Sequence, residues 1–144
     1  MIDQRILEHA KKIRAAIEHA GYFGSLCSGA CALASIELFK FARKHKIKLQ
    51  FVGHRSWHCF NLYKGTIYDI TYTQFSERFG EIAIVPMKEA KKECWWEIEF
   101  KAKNLKELAE LERNTIYFHR DWAYQNPYLY KFVKDRNRLV LRKK

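Results

Sequence analysis

Trp57-His58-Cys59-Phe60-Asn61-Leu62-Tyr63-Lys64-Gly65-Thr66-Ile67-Tyr68-Asp69-Ile70-Thr71 reads as a β-hairpin. β-branched and aromatic residues fill both arms, and Lys64-Gly65 supplies a two-residue turn. That turn sets a register in which Tyr63 faces Thr66, Leu62 faces Ile67, Asn61 faces Tyr68 and Phe60 faces Asp69. Opposed residues share a sheet face, and side chains alternate along each arm. His58 and Asp69 thus fall on one face as diagonal neighbours, roughly 5–8 Å apart. A carboxylate there would hold an imidazole in one tautomer. Cys59 has the opposite parity and is expected on the other face, an inert small core residue. His54 belongs to the connector Gly53-His54-Arg55-Ser56 and is expected beyond the reach of Asp69.

Upstream, Ser28-Gly29-Ala30-Cys31-Ala32-Leu33-Ala34-Ser35 opens a helix predicted to run from about Gly29 to Lys44. Ser28 is the natural N-cap, with Gly29, Ala30 and Cys31 at the first three helical positions. The N–H groups and dipole of a helix start favour a thiolate, as does a nearby imidazolium. Cys31 is placed for both, whereas Cys27 lies outside the helix. Leu33, Ile36, Leu38, Phe39 and Phe41 make this helix apolar over much of its girth, as expected for one buried against a sheet.

Outward from this centre, Ile2, Ile6, Ala10, Ile13, Ile17 and Ala20 form one apolar helical face over residues 2–20, with Asp3 and Gly21 at the boundaries. His9 and His19 lie off that face and are expected in solvent. Alternation predicts strands over Lys46–Phe51, Glu81–Val85 and Trp95–Phe100. Asn104 caps a predicted helix to Arg113. From Thr115 on, the aromatic-rich chain is expected to form helical pieces around the core. Helices, an antiparallel meander and more helix make an α+β fold, expected as one domain over 1–144.

The apolar fraction of 48% and aromatic fraction of 15% exclude a disordered chain. No membrane-length apolar run and no signal-peptide pattern are present, so a cytoplasmic protein without a membrane partner is expected. Four cysteines, Cys27, Cys31, Cys59 and Cys94, follow no disulfide-framework spacing. Of the net charge of +11, residues 131–144 carry 7 basic and 1 acidic side chains. Such a tail would dock nucleic acid or an acidic protein, and it equally fits a solvated tail. Residues 51–100, which hold most of the candidate site, carry 6 basic and 7 acidic side chains and are near neutral.

Cys27, Cys31, His54 and His58 also form a Cys2His2 set with acceptable spacing within each pair. The 22 residues between Cys31 and His54 hold a helix and a strand, and Cys27 lies outside the helix that carries Cys31, an awkward bite for zinc. No cofactor is expected.

Gly29-Ala30-Cys31, His58-Cys59-Phe60-Asn61 and Tyr68-Asp69-Ile70-Thr71, with Gln74-Phe75 following, resemble the papain-like and transglutaminase-like cysteine enzymes. The resemblance covers about residues 21–86. It implies nucleophile Cys31, base and acid His58, and orienter Asp69, on a helix packed against an antiparallel sheet. The implied activity is that of a cysteine peptidase or amidase acting on a peptide, isopeptide or side-chain amide, or of a transglutaminase or acyltransferase. A non-catalytic basic binding module is the remaining alternative. Two family features are absent: the Gln before the Cys, and the Trp after it, where Ala32 stands. Ser25 and Tyr22 are the candidate oxyanion donors in place of the Gln.

Overall fold

The computed structural model describes residues 2–20, 30–54, 58–114, 130–133 and 138–141, the last two stretches as backbone alone. The chain is α+β. Helices α1 (Gln4–Ala20) and α2 (Cys31–Lys44) precede strands β1 (Gln50–His54), β2 (His58–Tyr63), β3 (Thr66–Asp69) and β4 (Ala83–Pro86). A short helix α3 (Met87–Ala90), strand β5 (Phe100–Ala102) and helix α4 (Leu105–Asn114) follow, then strands β6 (Tyr130–Val133) and β7 (Arg138–Leu141). The first five strands form one antiparallel sheet in the order β4-β3-β2-β1-β5.

The hairpin has the predicted register: Tyr63 pairs with Thr66, Leu62 with Ile67 and Asn61 with Tyr68. Lys64 (φ 48°) and Gly65 (φ 73°) both take positive φ, the turn whose twist matches the strands it joins. Strand β3 ends at Asp69, two residues before the expected Thr71, because the Asp69 carboxylate accepts the Thr71 N–H at 3.1 Å and turns the chain.

Alternation divides the sheet into two buried faces. Phe51, Cys59 and Tyr68 pack with Ile6, Ile13 and Ile17 of α1 and with Leu38 and Phe39 of α2. Val52, Phe60, Ile67 and Val85 pack on the other side with Tyr72, Ala90 and Trp96. The apolar face of α1 is as expected from Ile6 to Ile17, and Asp3 caps it through the N–H groups of Arg5 and Ile6. Ile2 is 42% exposed, because it precedes that cap and lies outside the helix. His9 is not solvated as expected: it stacks on Phe41 of α2 at 3.9 Å.

Three further expectations are corrected. The strand over Lys46–Phe51 begins only at Gln50 and extends through His54, so His54 is a strand residue. Lys46 sits at φ 58° and closes α2, with its N–H on the Arg43 carbonyl and the Ile47 N–H on that of Ala42. Ile47, Leu49 and Phe51 are buried in alternation, but only from Gln50 does the chain meet a partner strand. Within Trp95–Phe100, a 3-10 turn over Cys94–Trp96 replaces the expected strand, and β5 starts at Phe100. Finally, the C-terminal extension is not helical where it is described. Strands β6 and β7 pair antiparallel, as suits Tyr-x-Phe-Val against Leu-Val-Leu. The side chains of the basic tail lie outside the described residues.

Gly53 sits opposite Cys59 at a close approach of β1, β2 and β5. A Cβ there would lie 2.4 Å from the His58 carbonyl oxygen and 2.7 Å from the Phe100 ring. Gly53→Ala is expected to destabilise the protein by about 1–3 kcal/mol and to displace His58. Urea unfolding together with thiol labelling of Cys31 would show both effects, and an unchanged midpoint would refute the close approach.

Candidate active site

Cys31 is the first residue of α2. Ala30, not Ser28, occupies the capping position, and its carbonyl accepts the Ala34 N–H at 2.9 Å. The helix therefore starts two residues later than expected, and Cys31 moves from its third position to its first. It stays among the outward-pointing N–H groups at the positive end of the dipole. Asn61 ties α2 to the sheet: its side-chain N–H groups donate to the Ser35 carbonyl at 3.0 Å and the Gln50 carbonyl at 3.3 Å. The Ser35 hydroxyl in turn donates to the Cys31 carbonyl at 2.6 Å. These bonds hold the start of α2 over the end of β2 that carries His58 and Cys59.

His58 is fully buried. Its Nε2–H donates to Oδ2 of Asp69 at 2.5 Å. The same oxygen accepts the Trp96 Nε1–H at 2.8 Å, and Oδ1 accepts the Thr71 N–H. Three donors thus fix a carboxylate that is 1% exposed. The Nδ1 atom of His58 has no hydrogen-bond partner among the described residues. It is the nitrogen left for Cys31, whose thiol lies near enough for each group to shift the other's pKa. Phe75 packs edge-on against the imidazole at 4.8 Å and stacks on Trp95 at 3.8 Å, walling this side.

The electrostatics favour a thiolate–imidazolium pair. A hydrogen bond from the Cys59 thiol, opposed by burial and joined by His58, holds the Cys31 thiol well below its ordinary value of 9.0. Burial pulls the His58 imidazole down, but the Asp69 charge and hydrogen bond, with Cys31, outweigh it and raise the group to about 10. Burial, then Cys31, pushes the Cys59 thiol up.

These shifts oppose each other in the pH dependence of stability. The contribution of His58 is complete below 6.5 and is lost as pH rises through about 10. That of Cys31 is complete above 9.0 and is lost as pH falls through its depressed folded value. Between 6.5 and 9.0 the folded pair and the unfolded pair each hold one proton, so the pair's contribution is flat there and declines on both sides. Comparing urea midpoints of the wild type with the double variant Cys31→Ser/His58→Gln from pH 5 to 10 isolates the pair's contribution. A stability difference that slopes through the whole 6.5–9.0 window would refute the ion pair.

The structure thus brings Cys31, His58 and Asp69 together. Cys59 is on the opposite face from His58, as parity requires, but it is not an isolated core residue, because the α2 start brings Cys31 to its thiol. His54 donates its Nε2–H to the Trp95 carbonyl at 3.1 Å, and no group of three or more metal-ligating side chains occurs among the described residues. Cys27, Ser25 and Tyr22 lie outside the described residues. Sequence reasoning missed Trp96, which the adjacent Trp95-Trp96 pair could have flagged by breaking alternation, and Arg14, whose place beside Ile13 and Ile17 on α1 gives no sign that it is buried. A cavity of about 390 Å³ borders Trp96, Met87 and Ile98 but none of the three site residues. No helix among the described residues is long and apolar enough to cross a membrane. Compared with known proteins, the chain matches no family model, no curated protein and no solved structure.

Proposed function

We propose that the chain is a thiol-dependent acyl-transfer enzyme with a papain-like or transglutaminase-like core, acting as a cysteine peptidase or amidase. The observation that carries this reading is His58, held at Nε2 by a buried, triply bonded Asp69 and left with Nδ1 for the Cys31 thiol. A buried acid serving only as core filler would need no such imidazole at a helix-start cysteine.

In this reading the Cys31 sulfur attacks the carbonyl carbon of a peptide, isopeptide or side-chain amide. The N–H groups of the α2 start face the developing oxyanion. The imidazolium gives its Nδ1 proton to the departing amine, and a Cys31 thioester remains. Neutral His58 then takes a proton from water, whose oxygen attacks the thioester carbon, and the acid leaves as the thiolate re-forms. Asp69 keeps Nε2 protonated throughout.

Iodoacetamide at neutral pH, followed by mapping of the labelled thiols, tests the nucleophile. Fast, selective labelling of Cys31 is expected, and equal slow labelling of every thiol sinks the proposal. Mass analysis of enzyme mixed with an activated amide or ester should show an acyl group on Cys31. Release of acid supports the hydrolase. Transfer of the acyl group to an added primary amine in place of water identifies the transglutaminase alternative.

A further inference from the structure

Acyl transfer needs one thiol, yet the site contains two in contact. Cys31 opens α2 and Cys59 is the second residue of β2. Cys31 packs on the core cluster that contains Cys59, one helical turn and two strand residues from the Asn61–Ser35 bond, and each thiol shifts the other's pKa. Cys31 is partly exposed, whereas Cys59 is 4% exposed and packed in the core beneath it. The two sulfurs therefore have different access: an oxidant from solvent meets the partly exposed Cys31 before the buried Cys59. The Asn61–Ser35 bond and the packing of α2 on β2 keep the pair in register.

We propose that Cys31 and Cys59 form a reversible disulfide on exposure to a hydroperoxide, a modification site that masks both thiols recoverably. The Cys31 thiolate attacks one oxygen of hydrogen peroxide. An S–O bond forms and the O–O bond breaks. The sulfur loses two electrons to the peroxide, and the departing hydroxide takes the proton of the His58 imidazolium as water. The Cys59 sulfur then attacks the Cys31 sulfenic sulfur. An S–S bond forms, the S–O bond breaks, and the hydroxyl leaves as water with the Cys59 proton. In total, two thiols and one peroxide give one disulfide and two waters, and an external dithiol reverses the change.

The low thiolate threshold of Cys31 speeds the first step. The second depends on proximity, which the thiol contact supplies. A solitary reactive cysteine would instead proceed to sulfinic and sulfonic acids, which a dithiol does not reverse. Cys94, exposed and apart from this pair, is the internal control.

The inference rests on the thiol pair and not on the acyl-transfer reading, so its test uses covalent state alone. The full chain, and a Cys27→Ser variant to remove the neighbouring thiol in sequence, are treated with hydrogen peroxide. Remaining thiols are alkylated, and the linked peptides are mapped under non-reducing conditions. The expected result in both proteins is a Cys31–Cys59 linkage, loss of Cys31 labelling, and full recovery of labelling with dithiothreitol. In Cys59→Ser, Cys31 labelling is expected to be lost to peroxide and not recovered. Cys31 converted to sulfinic acid while Cys59 stays alkylatable in the wild type overturns the proposal, as does a Cys31 linkage to any other cysteine. The wild-type mapping decides the matter even if Cys59→Ser does not fold.

Discussion

Replacing His58 by Gln is expected to slow alkylation of Cys31 at pH 7 by about tenfold and to lower turnover of any amide substrate by about a thousandfold. The two effects have different origins. An ordinary thiol is only a few per cent ionised at neutral pH, so losing the imidazolium lowers the thiolate population by more than tenfold; the higher intrinsic nucleophilicity of the more basic thiolate returns part of that loss. Turnover falls further because the leaving amine then departs without a proton donor. Gln is preferred to Ala because its side-chain N–H can still donate to Asp69. Removing that donor leaves a carboxylate buried at 1% exposure without the partner that balances its charge, a loss of about 3–5 kcal/mol that would confuse reactivity with folding. Asp69→Asn tests the other end. Asn fails to fix the Nε2-protonated tautomer, so turnover should fall sharply while the fold persists. Stopped-flow labelling and thermal melts of the three proteins separate the cases. Unchanged Cys31 reactivity in His58→Gln would show that the helix start and the Cys59 thiol ionise Cys31 without the imidazole.

The parts of this site legible in the sequence are those governed by local rules. Lys64-Gly65 fixes the hairpin, the hairpin fixes register, and register puts His58 and Asp69 on one face. Asp3 and Asn104 are caps in sequence and structure alike. Illegible features depend on what a segment meets in space. Lys46–Phe51 shows the alternation of a strand, yet alternation reports burial, and pairing begins only where β1 finds β2. The α2 start lies two residues past its predicted place because three small residues, Ser28, Gly29 and Ala30, offer nearly equivalent starts. Parity correctly sent Cys59 away from His58, but parity has no knowledge of which helix crosses the sheet end. Trp96 reads as one of two adjacent tryptophans; its N–H reaches Asp69 only because Cys94–Trp96 turns as a 3-10 helix.

Arg14→Met is expected to lower stability by about 3 kcal/mol, or about 10 °C in Tm, and to weaken Cys31 reactivity without touching Cys31. Arg14 lies beside Ile13 and Ile17 on α1, where the apolar pattern gives a charge no reason to be buried, yet it is only 3% exposed. Its Nη1 donates to the Ile70 carbonyl at 2.9 Å, the Thr73 hydroxyl at 2.8 Å and the Glu81 carbonyl at 3.1 Å, and its Nε to Glu18 at 2.8 Å. These acceptors belong to the turn that leaves β3 directly after Asp69 and to the approach to β4. The guanidinium therefore holds the segment whose Thr71 N–H and Tyr72 ring pack around the Asp69 carboxylate and Trp96. Met fills a similar volume but supplies no donor, so buried carbonyls lose partners worth about 1.5–3 kcal/mol each when bonded to a charge, though not additively. Arg14→Lys restores the charge but not the two separate nitrogens that hold Glu18 and the three loop acceptors at once, and should recover only part of the loss. Melting curves and Cys31 labelling rates of Arg14→Met and Arg14→Lys should then fall in the same order. A melting temperature indifferent to both substitutions would mean the turn holds itself. In that case Asp69 is positioned by Trp96 and the hairpin alone, and α1 serves the site only as packing.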